Sequence, residues 1–462
     1  MEEQDMKNKT RIMTLCMAAL IAVMPLNAWA DAPGGGPQGK RGSSPGGAPG
    51  DDPGSGSVNL VYTAAVGISK AAELTDGVYV SETSDENALL INTGESVSLT
   101  EPSVSKTGDS AEGDNCSFYG LNAAVLAMGG ANVSIVGGTV TSDANGANGV
   151  FSYGGNGGRN GASGDGTAVS ITGTTIKTTG DNSGGIMTTG GGKTYAYDLT
   201  IDTYGRSSAA IRTDRGGGTV AVDGGSYTTN GLGSPVIYST ADISVRNASL
   251  TSNLSEGVCI EGKNSVTLTD CDLTADNTQR NGHAKFLDSI MIYQSMSGDA
   301  DSGTSAFTMT GGSLVSKSGH VFHVTNTHAV ITLDNVTVEN QGSGNVFLSV
   351  CADGWDGSSN IAELLCRNQT IEGSVLVGSD SYLTLTLNDA SRFSGCISGE
   401  IADSSGESVS TKEGSVSVIL DESSVWELSA DSYITEFSGN AAQIISNGYT
   451  LYVNGTALSG TK

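Results

Sequence analysis

One six-residue pattern recurs along the chain and restricts what it can fold into. It runs Val222-Asp223-Gly224-Gly225-Ser226-Tyr227, then Val245-Arg246-Asn247-Ala248-Ser249-Leu250, then Leu268-Thr269-Asp270-Cys271-Asp272-Leu273, with 23 residues between copies. Outward from this stretch the same positions fall at Ile135 to Val140, Ile171 to Ile176, Ala196 to Ile201, Met309 to Leu314, Leu333 to Val338 and Cys366 to Ile371. The third position is Gly137, Gly173, Asp198, Gly224, Asn247, Asp270, Gly311, Asn335 and Asn368. Glycine, asparagine and aspartate tolerate a left-handed backbone most cheaply, so this column predicts one bend of fixed geometry per repeat. Leu99 to Val104 is a further copy, but it places Glu101-Pro102 at the bend, and that rung is expected to be shaped differently.

A second column precedes each bend, in Ala124-Val125-Leu126, Gly149-Val150-Phe151, Gly185-Ile186-Met187, Ala210-Ile211-Arg212, Val236-Ile237-Tyr238, Val258-Cys259-Ile260 and Val321-Phe322-His323. Each repeat therefore carries short β-rich runs of period two, separated by Gly, Asn, Ser or Thr, which is strand chemistry. A single rung cannot bury its inward side chains, whereas stacked rungs join them into one core with every strand paired above and below. The prediction is an all-β parallel β-helix, a single-stranded solenoid of roughly a dozen rungs and about 55 Å in length at the strand spacing.

Met1 to Ala30 places Lys7, Lys9 and Arg11 before an apolar run and ends Ala28-Trp29-Ala30, which predicts a secretory signal peptide and a secreted, extracellular or cell-surface protein. No later run resembles a membrane span, so no membrane insertion is expected. Residues 31–57 hold five of the eight prolines among Gly and Ser, the composition of a disordered linker. The β-helix is expected over 58–374, with excursions at Lys106 to Leu121, Gly154 to Thr167 and Thr274 to Asp288. Residues 375–462 carry a different repeat and are expected to form altered rungs and a cap.

A net charge of −27 disfavours nucleic acid as a partner and also opposes an acidic polysaccharide unless cations bridge it. Six cysteines follow the signal; Cys259 and Cys366 occupy apolar columns and are expected to be free and inward-facing. His320, His323 and His328 cluster in sequence, but strand positions three apart face opposite sides, so His320 and His323 are not expected to converge. The chemistry-bearing residues concentrate instead on the outer face of the central rungs. Arg212, Asp214 and Arg215 follow one strand, and Glu261 and Lys263 follow the equivalent strand two rungs on, about 10 Å away. Such a group suits glycoside hydrolysis by paired carboxylates, or polyuronate cleavage with calcium held by Asp214, Glu256 and Glu261.

The stacked apolar pattern, the signal peptide and the Asn/Gly bend column resemble the pectate-lyase-like right-handed parallel β-helix superfamily over about Val58 to Lys462, and in particular its bacterial adhesin-like, carbohydrate-binding surface proteins. That resemblance implies a non-catalytic protein that binds polysaccharide or cell-surface glycan, or associates with itself, and that requires no cofactor, with calcium as an option. Its catalytic members imply the alternative, a calcium-dependent polysaccharide lyase or a glycoside hydrolase using Arg212, Asp214, Arg215, Glu261 and Lys263. The repeated Asp-Asp-Gly-Ile turns of one polysaccharide-binding branch are absent from this sequence.

Overall fold

Each repeat folds into three short strands separated by tight corners. In one central rung these are Ile211–Thr213, Gly218–Asp223 and Ser226–Thr229; in the next they are Ile237–Ser239, Asp242–Arg246 and Ser249–Ser252. Corresponding strands pair in parallel, with Ile211 opposite Ile237, Val220 opposite Ile243 and Tyr227 opposite Leu250. Repetition builds a first sheet of 13 strands, a second of 14 and a third of 10, and a 4-stranded sheet beginning at Thr370–Glu372 follows the third. A chain that visits three all-parallel sheets in rotation is a parallel β-helix. This computed structural model describes residues 60–462 apart from 111, 157–162, 296 and 358; the expected signal peptide, the linker and the first expected rung residue, Val58, lie outside the described residues.

The corner between the second and third sheets is a single left-handed residue. All nine predicted bend residues adopt positive φ, from 46° at Asn368 to 77° at Gly224. Their amides continue the ladder across the corner: Gly173 N–H donates to Tyr197 O at 2.9 Å, Asp198 to Asp223 O at 3.0 Å, Gly224 to Arg246 O at 2.9 Å and Asn247 to Thr269 O at 3.0 Å. Glu101 corrects the expectation of a differently shaped rung. Its φ is 48°, its amide donates to Val136 O at 2.8 Å, and its carboxylate accepts from Gly138 N–H at 2.8 Å. Pairing with the neighbouring rungs imposes the bend there against the residue's own preference.

Period two sends alternate residues inward, and the inward columns merge into one continuous apolar core from Ile68 to Leu451. Toward the C-terminal end the core is filled by rings, with Phe307, Phe322 and Phe347 in sequence and Phe393 stacked on Trp426 at 5.3 Å. At the return corner from third sheet to first, buried serines stack instead. Ser208 Oγ accepts from Ser183 N–H and Ser234 Oγ from Ser208 N–H, both at 2.9 Å, while each hydroxyl donates to a carbonyl of the preceding rung. The Ser208 and Ser234 hydroxyls enclosed at this corner are thereby satisfied.

Four excursions fold over the outer face of the first sheet, whereas the described end of the one at Gly154 to Thr167 lines the corner between the first and second sheets. The first contains helix α1 (Asp114–Tyr119), whose Phe118 and Tyr119 pack on Leu126, Phe151 and Met187. Residues 276–287 lay Phe286 beside His323, and two shorter excursions not anticipated from sequence, 294–303 and 351–359, add Asp299 and Trp355 to the same face. The C-terminal end is closed by a 3-10 turn, Ala441–Gln443, capped by Asn440, and by the antiparallel pair Leu451–Val453 and Thr456–Ala457.

The bend makes a direct prediction. Asn247, at φ 55°, should accept Gly with little change, whereas Asn247→Ala should lower stability by about 1 kcal/mol because alanine resists the left-handed region. Urea unfolding of the two variants measures the difference, and an equal loss from both would mean that the side chain, not the backbone, sets the bend.

Candidate functional site

The outer face of the first sheet carries one column that runs in register as Phe151, Met187, Arg212, Tyr238, Cys259, Met291, His323 and Ser349. Period two explains it: Val150, Ile186, Ile211, Ile237, Val258 and Ile290 point into the core, so their successors point out. Cys259 is thus corrected from an inward to an outward position, where excursions bury it, while Cys366 lies in the core as expected. All six described cysteines are free thiols.

Arg212, Asp214 and Glu261 are brought together through Tyr238 of the intervening rung. Arg212 donates to Asp214 at 2.5 Å and lies 5.1 Å above the Tyr238 ring. The Tyr238 hydroxyl donates to Glu261 Oε2 at 2.5 Å, and Tyr293 reaches the same oxygen at 3.3 Å. Ser295 donates to Glu261 Oε1, and Ser297 approaches that oxygen at 3.3 Å. Arg215 and Lys263 turn elsewhere: Arg215 pairs with Asp299 at 2.8 Å over the Phe118 ring, and Lys263 pairs with Asp301 at 2.9 Å. The position of Tyr238 in the Arg212 column was legible from the repeat. The fold-back of Asp299 and Asp301 was not, because a non-repeating excursion carries them.

The network is largely closed to water. The Arg212 side chain is 17% exposed and Asp214 3%, and Glu261 is buried. Burial pushes the Asp214 carboxyl up from its ordinary 3.8 to about 6; Arg212 pulls it down and Asp299 adds to the rise. The three carboxylates offered for calcium do not suit it. Glu256 is buried against Ser255, Asp214 holds Arg212 and Glu261 holds hydroxyls, and among the described residues no three acidic, histidine or cysteine side chains group to hold a metal ion.

A second polar cluster lies farther along the same face. His320 Nδ1 and His323 Nδ1 both meet Ser349 Oγ, at 2.7 and 2.8 Å, and His323 Nε2 meets Asp353 at 3.2 Å. The two histidines therefore converge, contrary to the strand-alternation argument. His320 follows Gly319 at φ 72°, where the chain enters the strand and alternation has not begun. Burial, with His323 nearby, pushes the His320 imidazole down to about 3. Ser349, His323 and Asp353 stand in the order of a hydrolytic triad, but Phe286 covers the imidazoles at 4.6 and 5.4 Å and Ser349 and His323 are both 0% exposed. A substrate carbonyl has no route to that serine.

The open surface lies around the corner. A groove of about 500 Å³ runs between the first and second sheets, lined by glycines including Gly191, Gly216 and Gly217 and by Lys193, Asp242 and Lys263. Lys193 also starts an outward line on strand Gly192–Tyr197, followed by Tyr195 and Tyr197, which are 36% and 38% exposed. Small residues flank the rings in register: Ser170 and Ala221 beside Tyr195, and Thr172 beside Tyr197.

The chain matches no protein-family model, no curated protein and no solved structure.

Closure of the network predicts how it responds to mutation. Arg212→Ala leaves Asp214 buried without its partner and should cost about 3–5 kcal/mol, whereas replacing both residues with leucine should cost less than the single change. The pair also predicts a pH signature. With its pKa raised on folding, Asp214 contributes stability that is fully present below pH 3.8 and lost as pH rises through about 6. Urea midpoints across pH 4 to 7 should therefore fall more in the native chain than in the double variant. Parallel profiles would mean that the carboxyl titrates normally.

Proposed function

We propose that this chain is an exported, non-catalytic β-helix protein, allied to the adhesin-like, carbohydrate-binding members of the pectate-lyase-like superfamily, that holds glycan on its outer surface. One contrast carries the proposal. The candidate acid–base residues Arg212, Asp214 and Glu261 are bound to one another or to hydroxyls beneath the excursions, while the groove and the line of Lys193, Tyr195 and Tyr197 face solvent. A general acid or base must reach the substrate, and Asp214 and Glu261 are spent on internal partners.

The open line suits a sugar chain. Alternate residues on a strand lie roughly 7 Å apart, so Tyr195 and Tyr197 offer two ring faces in succession. The electron-rich face of an aromatic ring attracts the C–H face of a pyranose, and Lys193 and Asp242 supply a donor and an acceptor for hydroxyls. A charge of −27 favours a neutral polysaccharide over a uronate.

Retention of the full chain on insoluble neutral polysaccharides (cellulose, xylan and chitin), with and without calcium, tests this. Binding should fall at least tenfold in Tyr195→Ala/Tyr197→Ala while the far-ultraviolet spectrum is unchanged, and no reducing or unsaturated ends should appear. Unaltered retention would place the site elsewhere, and release of ends abolished by Asp214→Asn would make the protein an enzyme.

A further inference from the structure

The two ends of the β-helix differ. At the C-terminal end Gln443 donates to Asp421 O and Ser424 O, Lys462 and Ser446 exchange backbone bonds with their neighbours, and Ile444 and Leu451 are at most 1% exposed. At the N-terminal end the strands Thr63–Ile68, Ala72–Thr75 and Val78–Ser81 are the first members of the three sheets, each paired on one side only among the described residues. Val66 and Leu74 lie over Leu89 and Leu99, which are at most 1% exposed, yet are themselves 38% and 37% exposed. Val61, Val78 and Val80 around them are 80%, 70% and 49% exposed. Five of the thirteen exposed large apolar residues among the described residues thus fall within 20 positions of one another, in and just before this first rung.

Unpaired strand edges and an uncovered core template association, and solenoids normally close them with a cap. The sequence immediately before this rung is unsuited to the task. Residues 31–57 contain Ala32 and Ala48 as their only aliphatic side chains apart from proline, and the five prolines lack the N–H that a ladder requires. A single peptide strand would pair with only one of the three edges. A second rod end presents three edges around an apolar centre, the complement of what is exposed.

We propose that the N-terminal rung is a homodimer interface, in which two chains meet end to end about a two-fold axis, with strands antiparallel across the junction and Val66 and Leu74 of each copy enclosed. An isologous contact of this kind closes on itself and leaves the capped C-terminal ends outermost. Glu73 and Asp76 outnumber Lys70 in this rung, so joining two copies brings like charge together and the association should tighten as salt screens the repulsion.

Sedimentation equilibrium of the full chain at micromolar concentration tests this directly. The expected mass is that of a dimer, with a lower dissociation constant at 500 mM than at 50 mM sodium chloride. Leu74→Glu should raise the dissociation constant at least a hundredfold, and Val78→Lys, at an outward position that folding does not require, at least tenfold, with the far-ultraviolet spectrum unchanged in both. A monomeric native chain, or a dimer that both variants leave intact, would overturn the proposal.

Discussion

The whole solenoid depends on one hydrogen bond repeated at one corner. A residue at φ between +46° and +77° turns the chain from the second sheet to the third while its amide still donates to the rung above. Without that geometry the corner would break the ladder and leave a donor unpaired once per rung, a cost that would accumulate along the stack. With it, each rung is a template for the next, and the apolar columns align without further instruction. Glu101 shows the strength of the constraint, because a residue with no liking for the left-handed region adopts it when rungs on both sides are in register.

That regular body offers three faces, and the excursions decide what becomes of them. On the first sheet they bring aromatic rings, hydroxyls and carboxylates over a column that includes Arg212, Tyr238 and His323. Charges so enclosed must be paired or neutralised. Arg212 with Asp214, Arg215 with Asp299, and Glu261 with Tyr238 and Ser295 are the resulting solutions. The raised Asp214 carboxyl is the residue of imperfect compensation, since burial outweighs the pull of its arginine. Among the described residues no such cover lies over strand Gly192–Tyr197 of the second sheet, and its tyrosines are at the surface.

The fold was legible because its cause is local and periodic. Nine bend residues could be named from three residue types, and the outward position of Arg212, Tyr238 and Glu261 follows from counting along the strands. What escaped sequence reasoning lies where periodicity stops. The fold-back that brings Asp299 to Arg215 and Trp355 to Tyr293 belongs to non-repeating excursions. The meeting of His320 and His323 occurs at a strand entry, before alternation sets in. Cys259 was misplaced for a simpler reason: the triplet Val258-Cys259-Ile260 stands one residue out of register with Val236-Ile237-Tyr238, since Val258 and not Cys259 lies opposite Ile237. The Lys193, Tyr195 and Tyr197 line was present in the sequence as an alternating run, but only the arrangement of the corners shows that it is left uncovered.

Amide hydrogen exchange in the native state tests the central claim most directly. If the bend amides are full members of the ladder, those of Asp198, Asn247 and Asp270 should exchange as slowly as the amides of the strands on either side of them. Exchange of these three at the rate of the exposed loop around Gly406 would show that the corners open independently of the rungs, and the account of a continuous, self-templating ladder would fail.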